Sequence, residues 1–492
     1  MQSPRDPKNL VVVGGRVMFE SLAQATGLKI YPRSVTEAGG TTYFLARGPQ
    51  GKVLGIQGDA TGFEGNSQLL YPLTPANAAA LRTRLPWLTP VPLRLRTSAG
   101  CGDRLGLATP GHIRALRKVG GIAPILAQQS MRENARTLRT PQQVLDDAMW
   151  GVFQEGWCEP WGADADHLKT PTDIDICAAA GYTFYTVDPG DHVDNAAHSA
   201  SLETLRAKFE SLPWDELEDS PAALRARTLG RTFDLSTFTL EFDEASLLRA
   251  ACKYGRAIAH AKRMYRHLAA VMGEQAFELE VSVDETETPT SPLEHFFIAG
   301  ELQRLGVVWV SLAPRFIGRF EKGVDYIGDL DAFEAEVLRH VAVLHHFGSY
   351  KLSLHSGSDK FSIYPIVARH TGGLVHLKTA GTSYLEALRV TAQVEPALFR
   401  EILDFARGRY ETDRATYHVS AELRQVPAAG NLSAAALPGL LDQFDARQVL
   451  HVTYGSALAR FGERLKALLD EHEEAYATAL ETHFVKHLRP FR

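Results

Sequence analysis

The chain has 492 residues, 45% of them hydrophobic, and a net charge of −6 with both signs mixed along its length. That is enough for a large core and more than one domain. No basic run or stripe marks a nucleic-acid partner, and no apolar run reaches the roughly 20 residues of a membrane span. Cys101, Cys158, Cys177 and Cys252 show no Cys-x-x-Cys spacing, and the first residues, Met-Gln-Ser-Pro-Arg-Asp-Pro-Lys, carry no apolar leader. The composition therefore predicts a soluble cytoplasmic enzyme with reduced thiols.

Residues 1–92 read as an α+β extension, with strands at Leu10–Val13 and Thr42–Leu45 and a proline-rich linker at Pro86–Pro92. From 93 to 395 strands and helices alternate. Strand Leu93–Ser98 precedes helix Gly111–Lys118, and strand Ile122–Gln128 precedes Thr140–Glu155. A strand around Trp157–Asp166 precedes Asp173–Ala180, and strand Thr183–Val187 leads through a polar insert at about 194–240 to helix Glu244–Met272. Strand Phe277–Asp284 precedes Pro292–Leu305, and Val307–Leu312 precedes Leu330–Phe347. Lys351–His355 precedes Ile363–His370, and Leu374–Lys378 precedes Tyr384–Ala392. Eight such units in order predict an α/β fold, a (β/α)8 TIM-type barrel; an open doubly wound sheet is the competing arrangement. Prolines just inside helix starts at Thr140-Pro141 and Thr170-Pro171 support the helices. Residues 396–492 form a helical C-terminal extension with an amphipathic run at Leu458–His487, read as a buttress or a contact within a homo-oligomer rather than a catalytic part.

The most informative stretch is Tyr350–Lys360, Tyr-Lys-Leu-Ser-Leu-His-Ser-Gly-Ser-Asp-Lys. Leu352 and Leu354 share one face of a strand, and Lys351, Ser353 and His355 share the other. In a barrel that polar face lines the interior, and His355 stands at the carboxyl end where chemistry is placed. The other strand ends are equally ionisable, with Cys101-Gly-Asp-Arg104, Arg132-Glu133, Asp164-Ala-Asp166-His167, Asp188 to His192, Asp284-Glu285, Arg315 and His376-Leu-Lys378. The opposite ends are bland. Carboxylates and imidazoles from different strands can converge on a divalent cation, with His167 and His355 as first ligands and Glu321 or Asp284 as a third. His340, His345, His346 and His295 lie on helices and read as packing or surface residues. Asp166 beside His167 suits a general base, and Asp284 or Glu285 an opposing acid. Arg132, Asp284, Lys360, His376 and Lys378 are candidate substrate contacts; the cations among them, with Arg104, would hold a carboxylate or phosphate. Lys378 could also form a Schiff base. The glycines at 100, 102 and 106 miss the dinucleotide spacing, and no Walker sequence occurs.

Lys351–Pro365, His376–Leu388, Gly102–Ala115, Gly162–Lys169 and Val283–Pro292 resemble the tagaturonate epimerases, hexuronate 4-epimerases of sugar-acid breakdown. The likeness covers the barrel region. It implies a metal-dependent barrel enzyme (Zn2+, or Mn2+, Ni2+ or Co2+) that interconverts tagaturonate and fructuronate, some members also acting on tagatose and fructose. The resemblance implies Asp166 as base and His167 and His355 as metal ligands; Glu321 as third ligand and Glu285 as acid are placed by argument. Inversion at C4 of a 2-ketose is out of reach of simple enolisation, which leaves retro-aldol cleavage and re-addition, or oxidation at C4 with a nicotinamide. The failed dinucleotide motif favours the first. A class II or Schiff-base sugar (phosphate) aldolase and a non-catalytic sugar-binding aldolase subunit are the alternatives.

Overall fold

The computed structural model describes residues 20, 22–49, 51–65 and 69–492. The chain forms two compact units: residues up to Thr89 together with Asp146–Glu159, and Pro90–Leu145 together with Pro160–Arg492.

The first unit holds a five-stranded antiparallel sheet in which Lys29–Ile30, Thr41–Gly48, Gly51–Gln57 and Leu70–Tyr71 are neighbours in that order and Thr36–Ala38 pairs with Thr41–Gly48. Phe44 on its longest strand packs with Leu22, Ile30 and Ala46. Opposite Phe44 stands Gly55, where a Cβ would come 2.1 Å from the phenyl ring, so only glycine fits. Helix Pro75–Arg84 starts on Thr74, whose side chain accepts from the Asn77 N–H. The expected strand at 42–45 lies within Thr41–Gly48; the one at Leu10–Val13 lies outside the described residues.

The second unit contains a closed barrel of eight parallel strands: β1 (Ser98–Gly100), β2 (Ala123–Ser130), β3 (Gly162–Leu168), β4 (Phe184–Val187), β5 (Glu278–Ser282), β6 (Ser311–Ala313), β7 (Lys351–Leu354) and β8 (Val375–Lys378). Each strand pairs with the next in sequence, and β8 closes on β1. The helices between them start on local signals. Ser130, Thr170 and Ser291 each form a capping box with Glu133, Asp173 and Glu294, respectively. The insert after β4 folds into helices Leu202–Glu210 and Pro221–Thr228 and the hairpin Thr232–Asp234/Thr239–Glu241 before helix Glu244–Met272.

Three strand starts differ from expectation, β3 beginning at Gly162 rather than around Trp157. β1 begins at Ser98, not Leu93, because the preceding residues turn: Arg94 has φ 57°, and the Leu93 amide donates to Glu278 Oε2 at 2.9 Å. β6 begins at Ser311 rather than Val307.

Period-two alternation points one face of each strand inward. Barrel interiors are usually filled by branched apolar side chains, but this one is polar. At the floor, Lys351 Nζ donates to Ser98 Oγ (2.9 Å), which meets His376 Nδ1 at 2.9 Å. One layer up, Lys378 Nζ lies 2.8 Å from both Asp164 and Glu280 and donates to Thr186 Oγ1 at 2.6 Å. Buried charge on this scale is tolerated only because each group is paired.

The C-terminal extension belongs to the same unit as the barrel. Its helices are Pro396–Asp413, Phe444–Val452, Tyr454–Glu471 and Glu473–Leu488, with His472 breaking the expected continuous run. Helix Glu473–Leu488 lies against Thr109–Val119, where Gly111 permits the contact: a Cβ there would sit 2.5 Å from Leu480 Cβ. Among the described residues no helix is long and apolar enough to cross a membrane.

Candidate active site

The carboxyl ends of β3, β5 and β7 bring His167, Asp284 and His355 together, with one donor atom of each within 4.8 Å of the others. The two imidazoles stand nearly edge to face at 5.0 Å. β3 loses register with β4 near its end, and His167 adopts φ 51° there. A left-handed histidine is uncommon and costly, and such strain gathers at functional sites.

Each imidazole is oriented by a carboxylate behind it. His167 Nδ1 lies 3.3 Å from Asp188 Oδ2, which frees the Nε2 edge. His355 Nε2 lies 2.6 Å from Glu280 Oε1, and its Nδ1 faces Asp284 Oδ1 at 3.1 Å. Burial works against the His167 cation, yet Asp166, Asp188 and Asp284 outweigh it and raise its pKa to about 10. Burial likewise opposes charge on His355, and Asp284 and Glu280 raise its pKa against the repulsion of Lys378.

This donor set fits a divalent metal. It is a nitrogen–oxygen set suited to Zn2+, Mn2+, Ni2+ or Co2+, each imidazole has the carboxylate backing typical of metal-bound histidine, and Glu278, Asp164, Glu280, Asp166, Asp188 and Asp284 outnumber Lys351, Lys378 and the two imidazoles around the interior. The protein side thus retains negative charge for a cation to balance.

Asp166, one residue before His167, lines the cavity above this cluster. Its carboxylate accepts from Gln128 Nε2 (2.8 Å) and Lys378 Nζ (2.7 Å). Burial would raise its pKa, but Lys378, His167 and His355 hold it far below the usual carboxylate range. Burial does raise Asp164, to about 7, against the pull of Lys378. Lys378 has the opposite balance: Asp164, Asp166 and Glu280 overcome burial and hold it well above the ordinary lysine range.

The other sequence-predicted residues divide. Arg132 lines the cavity and donates to Glu285 Oε1 at 2.8 Å, so Glu285 stands at the rim, within 4.8 Å of donor atoms on His167 and Asp188. Asp284 joins the histidine cluster rather than a substrate wall. Glu321 is not brought to the histidines. It lies well past the end of β6, and its Oε2 accepts from the Ser420 N–H (2.9 Å) and Gln448 Nε2 (2.8 Å), tying the loop to the C-terminal extension. Lys360 is fully buried and donates to the carbonyls of Glu321 (2.8 Å) and Ser358 (3.1 Å), because the loop turns at Asp359 (φ 61°) and points the side chain away from the cavity. His376 is sealed in the barrel floor against Ser98. Neither Lys360 nor His376 lines the cavity that holds Asp166, His167 and His355. His295 and His340, assigned to packing, are buried and meet at 2.9 Å.

Sequence reasoning gave no role to Asp164, Thr186 or Glu280, which lie mid-strand rather than at strand ends. It also missed Tyr417 and His451, which reach the cavity from the C-terminal extension. No local pattern announces a contact made across so much chain.

A closed parallel barrel whose mouth gathers imidazoles, carboxylates and an ammonium around a polar cavity defines a barrel enzyme for a small polar substrate. The profile of the tagaturonate epimerases matches residues 31–491. The tagaturonate/fructuronate epimerase of Thermotoga maritima is 46% identical over 474 residues, covering 94% of this chain and 96% of its own. Two crystal structures of fructuronate-tagaturonate epimerase UxaE from Cohnella laeviribosi, one native and one with glycerol bound, match with a TM-score of 0.91 at 38% identity, covering 97% of this chain and 99% of theirs. The chain belongs to the tagaturonate epimerase family and is an epimerase, within the isomerases.

Proposed function

We propose that the protein interconverts tagaturonate and fructuronate by inverting C4, with a divalent metal held by His167, Asp284 and His355. The observation that carries this reading is the placement of Asp166, a buried carboxylate facing the cavity directly beside that donor cluster. A cation there supplies Lewis acidity to the C2 carbonyl.

The protein's own groups do the rest. Asp166 takes the C4 hydroxyl proton while the C3–C4 electron pair moves to C3, giving an enediolate and an aldehyde at C4. The aldehyde turns, C3 adds to its other face, and the new C4 alkoxide takes a proton from Glu285 at the rim, which draws its replacement from solvent. Asp166 then returns its proton to solvent. Gln128 and Lys378 fix the Asp166 carboxylate for the first transfer. Tagatose and fructose offer the same C2–C4 array and are expected as poorer substrates.

The aldolase reading through a Schiff base is disfavoured by Lys378 itself. Its ammonium is surrounded by three carboxylates, Asp164, Asp166 and Glu280, and stays protonated, so it lacks the lone pair that imine formation needs.

The test is to strip the protein with EDTA, confirm metal loss, and follow tagaturonate by NMR with and without added Zn2+, Mn2+, Ni2+ or Co2+. Metal-restored fructuronate without added nicotinamide is the expected result. Full activity after verified stripping removes the metal from the reading, and accumulation of a three-carbon product replaces epimerase with aldolase.

A further inference from the structure

The metal-ligand cluster accounts for one side of the cavity. Another group of residues on its wall has no assigned work and shares one character, nitrogen atoms whose hydrogen-bonding or charge is not fully met within the protein. Arg104, in the loop after β1, spends Nε and Nη2 on Glu133 Oε1 (2.9 and 2.7 Å) and lies 3.6 Å over the Tyr454 ring. Its Nη1 is buried and has no hydrogen-bond partner among the described residues. An unmet guanidinium N–H is costly in a folded protein unless a ligand meets it. Lys322, after β6, donates to Ser356 Oγ at 2.6 Å and forms no ion pair among the described residues. His451 is buried, and its Nδ1 also has no hydrogen-bond partner among the described residues.

These side chains are neighbours. Burial first, then the charges of Arg104 and Lys322, keep the His451 imidazole well below its usual pKa. His451 packs on the backbone of Gly381, where a Cβ would fall 1.8 Å from its Nε2. Gly381 is the N-cap of helix Thr382–Val394 and has no side chain to satisfy the first-turn amides. A helix N-terminus after β8, beside the loop after β7, is where parallel barrels commonly hold an anion.

We infer that Arg104, Lys322, His451 and the N-terminus of helix Thr382–Val394 form the pole that receives the carboxylate of the sugar acid. This rests on the epimerase reading above and deepens it. One end of the substrate is then held by a charge that the neutral ketoses lack, so the preference for the acid resides in these groups and not in the acid–base residues. Arg104 can offer its free N–H while Glu133 keeps the guanidinium in plane, a geometry suited to a planar carboxylate.

The test uses the metal-loaded protein and two competitive inhibitors without a ketone: the hexonate formed by reducing C2 of tagaturonate, and the hexitol with the same carbon skeleton. Lys322→Met is the first variant because Lys322 is only half-buried and has one neutral partner; Arg104→Lys, which keeps a positive charge but removes Nη1, is the second. The wild type is expected to bind the hexonate at least tenfold more tightly than the hexitol. Both variants should lose most of that ratio through weaker hexonate binding, with hexitol affinity unchanged. An unchanged ratio in both variants overturns the assignment, as does an equal loss for both inhibitors. A hexitol phosphate that outcompetes the hexonate overturns the carboxylate in favour of phosphate. If the wild type prefers the hexonate but turns over no tagaturonate, the pole stands and the epimerase reading falls.

Discussion

Two clusters in the barrel unit pair two imidazoles with a carboxylate, and they could hardly be used more differently. One is His167, Asp284 and His355 at the barrel mouth; the other is Asp359, His483 and His487, where the loop after β7 meets the last long helix. In the second, Arg447 Nη2 lies 2.9 Å from Asp359 Oδ2, and His487 Nε2 is occupied by the Asp359 N–H at 2.9 Å. The protein has supplied its own cation and spent the lone pair. In the first, the cation Lys378 sits a layer below, shared among Asp164, Asp166 and Glu280, none of them in the cluster itself; Asp188 and Glu280 each hold one nitrogen of an imidazole, leaving His167 Nε2 and the His355 Nδ1–Asp284 edge toward the cavity. Proximity of histidine and carboxylate does not make a metal site; what matters is whether the fold has already neutralised it.

The largest expected effect falls between the groups themselves. Asp166→Asn should lower kcat by about 10²–10⁴-fold with bound metal unchanged, and near-wild-type turnover would remove Asp166 from catalysis. His167→Ala and His355→Ala should each lose bound metal and activity together, whereas His483→Ala should keep its metal content; equal loss in all three, read by elemental analysis, would erase the contrast between the clusters. Asp188→Asn is a finer probe, expected to weaken metal affinity about 10–100-fold through the imidazole it orients. Glu321→Ala should leave metal content intact and cost about 1–3 kcal/mol of stability by stranding the Ser420 and Gln448 donors; metal loss there would return Glu321 to the ligand set.

The last prediction concerns pH. Burial pushes the His487 pKa down to about 3 and that of His112, outside both clusters, to about 4. Unfolded histidine titrates near 6.5, so the unfolded chain binds the extra protons. The contribution of each is complete above about pH 6.5 and falls by about 1.4 kcal/mol per pH unit below it, until the folded pKa is reached. Urea midpoints should therefore drop between pH 6.5 and 5, and His487→Gln should flatten part of that slope. A slope identical to wild type would show that His487 is not part of it.

The barrel was legible because eight hydrophobic strands and their capped helices write themselves locally, as in Thr170-Pro171 ahead of helix Pro171–Ala180. His167, His355, Asp166 and Lys378 were legible because they stand at strand ends. Other candidates lie elsewhere. Lys360 follows β7 closely and Glu321 comes well after β6, and loop geometry turns both away from the cavity. Sequence distance stops predicting direction once the strand has ended. His376 points inward but lies in the barrel floor against Ser98. His451 was invisible because it arrives from a segment read as a buttress.

That last contact has a consequence for when the enzyme becomes an enzyme. The proposed metal ligands and Asp166 are all encoded before residue 360, yet one wall of the cavity comes from Tyr417 and His451, and β8 must still return to β1. During synthesis, which proceeds from the amino end, the reactive cluster is made well before the walls that would confine a sugar. A chain interrupted short of His451 has the ligands without the full enclosure, so premature termination or clipping of the tail is expected to yield a silent protein rather than a loosely specific one.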